Sequence, residues 1–364
     1  MSALTAREEQ LARSLVDDQL DALGVAAWIT LGVMGPLDEL ERQLRTLLAE
    51  HGIDSVQLRK RIDALEQAVD DADKHLLVLL LTALLDWAPL AQAATLRSLQ
   101  QVLPALRALR VPALPHRTDV LLDLVISGKP LSHWLRGQTQ GLRRTLVREV
   151  RSGHAQGMTT LQITQRILGD PLLDPAATGV LPKARRQLRQ LVHASVQTLA
   201  NQQREVLYHA NRDLVRGLRW LATLDGRTCG FCGARDGLVY EMNHRPRGHE
   251  LPWGGGPGAC HFGCRCVSLP VLASWRELGV DIDEPPPGQR ASQDGPVSAT
   301  LRFEDWLAAK PEAFQNRTFG PGRAALWRER ELTLAELVDA RGRPLPLATL
   351  RARLATTAVV TTTS

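Results

Sequence analysis

All five cysteines of this 364-residue chain fall between Cys229 and Cys266, and none occurs in the rest of it. They form two groups, Cys229-Gly230-Phe231-Cys232 and, beyond a Gly- and Pro-rich stretch, Cys260-His261-Phe262-Gly263-Cys264-Arg265-Cys266. In a C-x-x-C turn both thiolates face one point while the intervening backbone N–H groups offset their charge. A second turn carrying His and Cys can complete a tetrahedron. The clustering therefore predicts a small module folded around one structural zinc ion per chain. Cys229 and Cys232 are the fixed pair; His261, Cys264 and Cys266 compete for the two remaining places, and Cys260 is surplus. His244 and His249, in the intervening loop, are expected to face solvent.

Other uses of the thiols fit less well. The count is odd, and Met1 leads into Arg7, Glu8 and Glu9 with no apolar leader, so a disulfide framework is not expected and a cytoplasm is. No βαβ pattern surrounds Cys229 and Cys232, as a thioredoxin-like redox pair requires. A catalytic zinc needs an open coordination position with an acid or base beside it. The chain has no H-E-x-x-H, and no His is followed two residues later by Glu as in the zinc deaminases. A metal-finger nuclease of the His-Asn-His type finds a counterpart in Asn243-His244, but His261 is the last histidine, so a distal catalytic one is missing. The residues point away from catalysis.

Around this module the pattern is helical. Aromatic residues are only 4% of the chain while Leu, Ala, Arg and Gln recur, a composition that favours helix over sheet. Leu37, Leu40, Leu44, Leu47 and Leu48 follow a helical period that Gly52 can close. Asp54 or Ser55 can cap a second helix carrying Leu58, Ile62, Leu65, Val69 and Ala72, and the two predict a packed antiparallel hairpin. The apolar run Leu76 to Leu85 is about half of the roughly 20 residues a membrane span needs, so it reads as a buried helix, and no membrane contact is expected. Thr159 looks like an N-cap. The fold class expected is mainly α, with a small zinc-stapled α+β module and a small C-terminal module. The divisions are an acidic helical region 1–111, ending in the Pro-bearing stretch Val111 to Pro115, a helical basic region 112–219, the zinc module 220–282, a linker 283–299 containing Pro285 to Pro287, a C-terminal module 300–354 and a flexible Thr-rich tail 355–364.

The net charge of +5 is unevenly spread. Met1 to Asp73 holds 15 acidic and 7 basic residues, whereas Lys183 to Arg219 holds 8 basic and 2 acidic. The latter segment reads as one long helix, with Leu188, Leu191, Val192, Val196, Leu199, Leu207 and Leu214 on one side. Arg186, Arg204, Arg212, Arg216 and Arg219 fall mostly opposite, as a face that could meet DNA phosphates.

The string Trp220-Leu221-Ala222-Thr223-Leu224-Asp225-Gly226-Arg227-Thr228-Cys229, followed by Cys232, Asp236-Gly237 and His261-Phe262-Gly263-Cys264-Arg265-Cys266, resembles the core of the phage Mu F-like head morphogenesis proteins. The resemblance extends over about Ser127 to Leu350 and includes Phe303-Glu304-Asp305-Trp306-Leu307; the acidic helical block before Pro112 lies outside it, and Cys260 together with the Gly254-Gly255-Gly256 loop departs from the simplest form of the motif. It implies a minor capsid component of a tailed phage or prophage, made in the bacterial host cytoplasm and built into the virion head near the portal. Its implied partners are portal protein and capsid or scaffold proteins, with DNA reached through backbone contacts. Asp225 and Arg227 are expected to fix the first knuckle by an ion pair or backbone hydrogen bonds rather than to do chemistry, and Trp220 and Trp306 to anchor cores. Two other functions stay open: a metal-dependent nuclease or toxin-type enzyme, and a zinc-containing regulator reading DNA through the Arg186 to Arg219 helix.

Overall fold

The computed structural model describes residues 5–49, 55–103, 109–113, 117–169, 179–284, 288–339 and 343–362. Gly52, Asp54, Leu114, Pro115 and Pro285 to Pro287 lie outside these, so the expected helix stop, one expected cap and parts of two expected boundaries are not described.

The chain is mainly helical. Helices α1 (Ala6–Ala49) and α2 (Ser55–Val102) form the expected antiparallel hairpin. Leu48 meets Leu58 and Leu65 near the turn, and the Ser14 hydroxyl reaches Gln101 at the open end. Next come α3 (Thr118–Leu122), the two-stranded β1 (Val125–Ile126) and β2 (Lys129–Pro130), and helices α4 (Leu131–Ala155), α5 (Thr160–Leu168) and α6 (Val180–Ala210). Thr159 caps α5 as expected. Its hydroxyl accepts from the Gln162 N–H while the Gln162 side chain accepts from the Thr159 N–H, a reciprocal box that satisfies two donors otherwise orphaned at a helix start.

One core runs across the expected division at 111/112. Ala22, Ile29, Leu40 and Leu44 of α1, and Ile62, Leu65, Leu76, Leu80 and Leu84 of α2, pack with Leu146 of α4, Ile167 of α5 and Leu188, Leu191 and Val196 of α6. The apolar interior is thus shared by residues from both sides of that expected division. The run Leu76 to Leu85 lies in α2 and gives Leu76, Leu80, Leu81 and Leu84 to this core. By length and composition alone, α1 and α2 each contain a window able to cross a membrane; 39% and 44% of those windows are buried inside the molecule.

The long basic helix expected over Lys183 to Arg219 ends at Ala210. Asn211 closes it. Its carboxamide accepts from the Arg110 N–H at 2.8 Å and donates to the Arg110 carbonyl at 2.9 Å, and a turn then feeds strand β3 (Val215–Leu221). With β4 (Val239–Tyr240) and β5 (Val267–Leu272), β3 makes an antiparallel sheet in the order β4-β3-β5, and short helix α7 (Gly230–Arg235) lies between β3 and β4. Six of the seven β3 residues are buried, so the strand lacks the polar alternation that marks a half-exposed strand in a sequence.

The expected linker is largely structured: β6 (Gln289–Ser292) and β7 (Gly295–Ser298) form a hairpin. The C-terminal module consists of α8 (Phe303–Ala308), α9 (Glu312–Phe319), α10 (Pro321–Arg328) and α11 (Leu347–Thr362), packed around Phe303, Trp306, Leu307, Trp327, Leu334 and Leu350. Where a flexible tail was expected from 355, the backbone of α11 stays helical to Thr362. Trp306 is the buried anchor expected.

The start of α1 reaches back to this far part of the chain. Arg7 pairs with Glu284 and donates to the Ala273 carbonyl at 2.8 Å. Glu8 accepts from the Leu272 N–H at 3.1 Å, and Glu9 from the Gln289 N–H at 2.8 Å.

Candidate metal centre

Two turns at one end of the sheet, where Leu221 pairs with Val267, bring the cysteines together. The first follows β3. Asp225 accepts from the Arg227 N–H at 2.9 Å and the Thr228 hydroxyl donates to the Thr223 carbonyl at 2.6 Å, which shapes the approach to Cys229. Cys229 then occupies the N-cap of α7 and Cys232 the third position of the helix, so the spacing C-x-x-C is that of a cap and the third residue of a helix. Helix N-termini favour negative charge, which is what two thiolates need.

The second turn precedes β5. Gly258, with φ of +76°, turns its N–H toward the Cys264 sulfur at 3.2 Å, and a Cβ there would lie 2.1 Å from the Asn201 amide nitrogen. Asp225 joins the two turns through a two-pronged pair with Arg265, one N–O distance being 2.9 Å. The expected role of Asp225 in fixing the knuckle is met by this pair and the Arg227 backbone bond; the Arg227 side chain itself is exposed.

The donor atoms of Cys232, Cys260, His261 and Cys264 all lie within 4.8 Å of one another. Sulfur–sulfur distances are 3.8 Å for Cys232–Cys260, 3.8 Å for Cys232–Cys264 and 3.5 Å for Cys260–Cys264, and the Cys232 sulfur lies 3.3 Å from His261 Nε2. Tetrahedral zinc with sulfur bonds of about 2.3 Å has sulfur–sulfur edges of about 3.8 Å, so the spacing fits such an ion. His261 Nδ1–H donates to the Phe262 carbonyl at 2.9 Å, so in the neutral ring Nε2, which faces the sulfurs, is the nitrogen free to ligate. The cluster can hold one metal ion such as zinc.

Cys260, surplus in the sequence reading, is thus inside the group of four. Cys229 adjoins it, its sulfur 3.2 Å from His261 Nε2, and Cys266 interacts with Cys232 and Cys264. The free thiols carry conflicting charge preferences. Hydrogen bonding with Cys232, working against burial and assisted by His261, lowers Cys229 to about 5. The thiols of Cys232, Cys260 and Cys266 are pushed well up, Cys232 chiefly by its bond to Cys229 and Cys260 chiefly by burial. For His261, burial favours the neutral ring, but the Cys229 bond and the Cys264 charge prevail and raise it to about 10. Several buried thiols cannot all ionise beside one imidazole; a dication among them offsets that repulsion.

An aromatic wall backs the centre. Trp220, wholly buried as expected, meets Phe231 and Trp253 edge to face at 6.0 and 5.3 Å, and the Arg235 guanidinium sits 3.5 Å over the Phe231 ring. His244 and His249 are half-buried rather than turned to solvent. His244 stacks on Trp253 and bonds Glu205 at 2.9 Å, and His249 bonds the Val239 carbonyl at 2.8 Å.

The candidate DNA face does not survive as one surface. Arg204 is 2% exposed and bonds Asn201, with Asp18 of α1 near it; Arg219 is 3% exposed on β3 and pairs with Glu8 at 3.6 Å. Neither can reach a phosphate, because α1 lies over them. Arg186, Arg212 and Arg216 remain exposed, Arg216 facing Glu277 at 3.8 Å. Compared with known protein families, with curated proteins and with solved structures, the chain matches none of them.

Proposed function

We propose that this chain is a minor head protein of a tailed phage or prophage, acting in head morphogenesis beside the portal, with one structural zinc ion and no catalytic turnover. The observation that carries the reading is that the residues of the resemblance, scattered from Trp220 to Cys266, meet in one small volume. Trp220 fills its interior, Asp225 ties the two knuckles through Arg265, and Cys232 stands 3.8 Å from Cys264.

A structural role for the metal is supported by the closed character of the centre. Cys232, Cys260 and Cys264 are buried, four donors are in place, and further thiols adjoin them, so no position is left for a substrate. The acidic α1–α2 hairpin offers a surface to a protein partner such as portal, capsid or scaffold subunits. The exposed Arg186, Arg212 and Arg216 suit contacts with DNA backbone. On this reading it is made in the host cytoplasm and ends in the virion head.

The test is metal analysis of the purified chain together with co-expression beside the portal protein encoded in the same genome. The reading expects one zinc per chain and a stable complex with portal. Zinc-free protein with an intact fold would remove the metal half, and portal that never co-purifies would remove the assembly half.

A further inference from the structure

Beside the metal centre lies a cleft of about 480 Å³ whose contents the assembly reading does not use. One wall is α6, which contributes Arg189, His193 and Gln197; the other is formed by Arg227 of the first knuckle and by Gly263, Cys264 and Arg265 of the second. Leu23 of α1 and Phe262 close its edges. A cleft of this size falls in the ordinary range for small-ligand sites.

The polar groups in it are one-sided. Among the described residues no carboxylate lines the cleft, and its one acidic group is the Cys264 thiol, whose charge a bound metal ion would take up. Arg265 is neutralised by Asp225, but Arg189 and Arg227 are exposed and make no ion pair among the described residues. The cleft therefore carries two uncompensated positive charges from two different elements. His193 adds none near neutral pH, since burial holds its ring below the ordinary histidine value.

Gln197 gives an independent pointer. It is 2% exposed, yet among the described residues neither its amide nitrogen nor its side-chain oxygen has a hydrogen-bond partner. Buried amides are nearly always paired, so an unsatisfied one beside a cavity marks a place where something polar belongs. Its position fits the same occupant as the arginines: residues 190, 193, 194 and 197 lie on one helical face, and all four line this cleft.

We propose that this cleft binds a phosphate group, Arg189 and Arg227 pairing with its charge and the Gln197 amide N–H donating to one of its oxygens. Donors arriving from separate elements suit a tetrahedral oxyanion better than a planar carboxylate, which one arginine fork satisfies. The phosphate can be free, carried by a nucleotide, or part of a nucleic-acid strand.

Calorimetric titration of the full metal-loaded chain separates these sources. The probes are inorganic phosphate, adenosine 5′-diphosphate and a single-stranded oligonucleotide, with acetate as control. Saturable binding of at least one phosphate probe and none of acetate is expected. Arg189→Ala combined with Arg227→Glu should weaken it at least about tenfold, Gln197→Leu should weaken it as well, and Arg136→Ala, on the exposed face of α4 outside the cleft, should leave it unchanged. Tighter binding of the oligonucleotide than of the small probes assigns the site to a strand; the reverse assigns it to a small ligand. No saturable binding of any phosphate probe at millimolar concentration, equal binding of acetate, or equal weakening by Arg136→Ala overturns the proposal. Failure here leaves the zinc and assembly reading intact, because Arg189, Gln197 and Arg227 carry neither metal nor the proposed protein contacts. Arg227 is exposed and its side chain makes no ion pair among the described residues, so its substitution reports on the cleft and not on folding.

Discussion

Asp236 and Arg290 form a buried ion pair, Oδ2 to Nη1 at 2.9 Å, that fastens the metal module to the β6–β7 hairpin. The carboxylate also accepts from the backbone N–H groups of Ala222 and Phe303, each at 2.8 Å, so it holds β3, the hairpin and the start of α8 at one point. Removing one partner of such a pair strands a charge in the interior. Asp236→Ala is expected to cost about 3–5 kcal/mol, read as a lowered denaturant midpoint at unchanged slope. A loss below 1 kcal/mol would mean that the three elements are held elsewhere.

Metal content should track individual thiols. Cys232→Ser, Cys260→Ser and Cys264→Ser each remove a donor from the group of four, and each is expected to leave clearly less than one metal ion per chain by elemental analysis. Cys266→Ser is expected to retain it. The reverse order would place Cys266 in the ligand set and return Cys260 to a supporting position.

Acid should weaken the link between the knuckles. Burial disfavours the charged Asp225, but the Arg265 hydrogen bonds and charge, with the Arg227 N–H, prevail and hold it below the ordinary carboxylate value of 3.8. A carboxyl depressed in the folded state adds stability that is fully present above its unfolded value and disappears as pH falls through the folded one. Asp225→Asn is therefore expected to be less stable than the parent chain by about 1 kcal/mol at pH 6, the difference shrinking below pH 3.8. A difference that stays constant down to pH 2 would show that charge is not its source.

Thr159→Ala removes the hydroxyl half of the box that starts α5 and should cost about 1 kcal/mol. Because Gln162 can still reach back to the residue 159 N–H, Thr159→Ser should restore nearly all of it. Equal destabilisation by both substitutions would point to the methyl group rather than the cap.

Gly258→Ala probes the second knuckle. The residue combines a left-handed φ with a Cβ position 2.1 Å from the Asn201 amide, so the turn that aims an N–H at Cys264 must shift. Metal affinity is expected to fall about 10–100-fold, as when other supporting contacts of metal ligands are lost, measured by chelator competition.

What could be read from the residues depended on how local the cause was. The cysteine spacing, the Thr159 cap and the heptad-like leucines of α1 and α2 act over a few positions, and the structure has the cluster, the cap and the hairpin. The end of α6 was missed because Leu207, Ala210 and Leu214 keep a helical period through the turn that Asn211 makes with Arg110, about a hundred residues earlier. Arg204 and Arg219 looked like a solvated face because their burial comes from Asp18 and Glu8 on α1. Cys260 was set aside because spacing cannot say which of several neighbouring thiols a turn points inward. The Gln197 cleft left no trace in the sequence, since an unpaired amide is defined by what fails to surround it.

The bonds at the first turn of α1 set an order on synthesis. Glu8 waits at least 264 positions for the Leu272 amide, and Glu9 waits 280 for Gln289. At about 5–20 residues per second on the ribosome, the first turn of α1 stays without these bonds for roughly 13 s or longer while the helical hairpin behind it can already collapse. Latching that end is thus a late event, available only once the strand after the second knuckle has emerged from the exit tunnel.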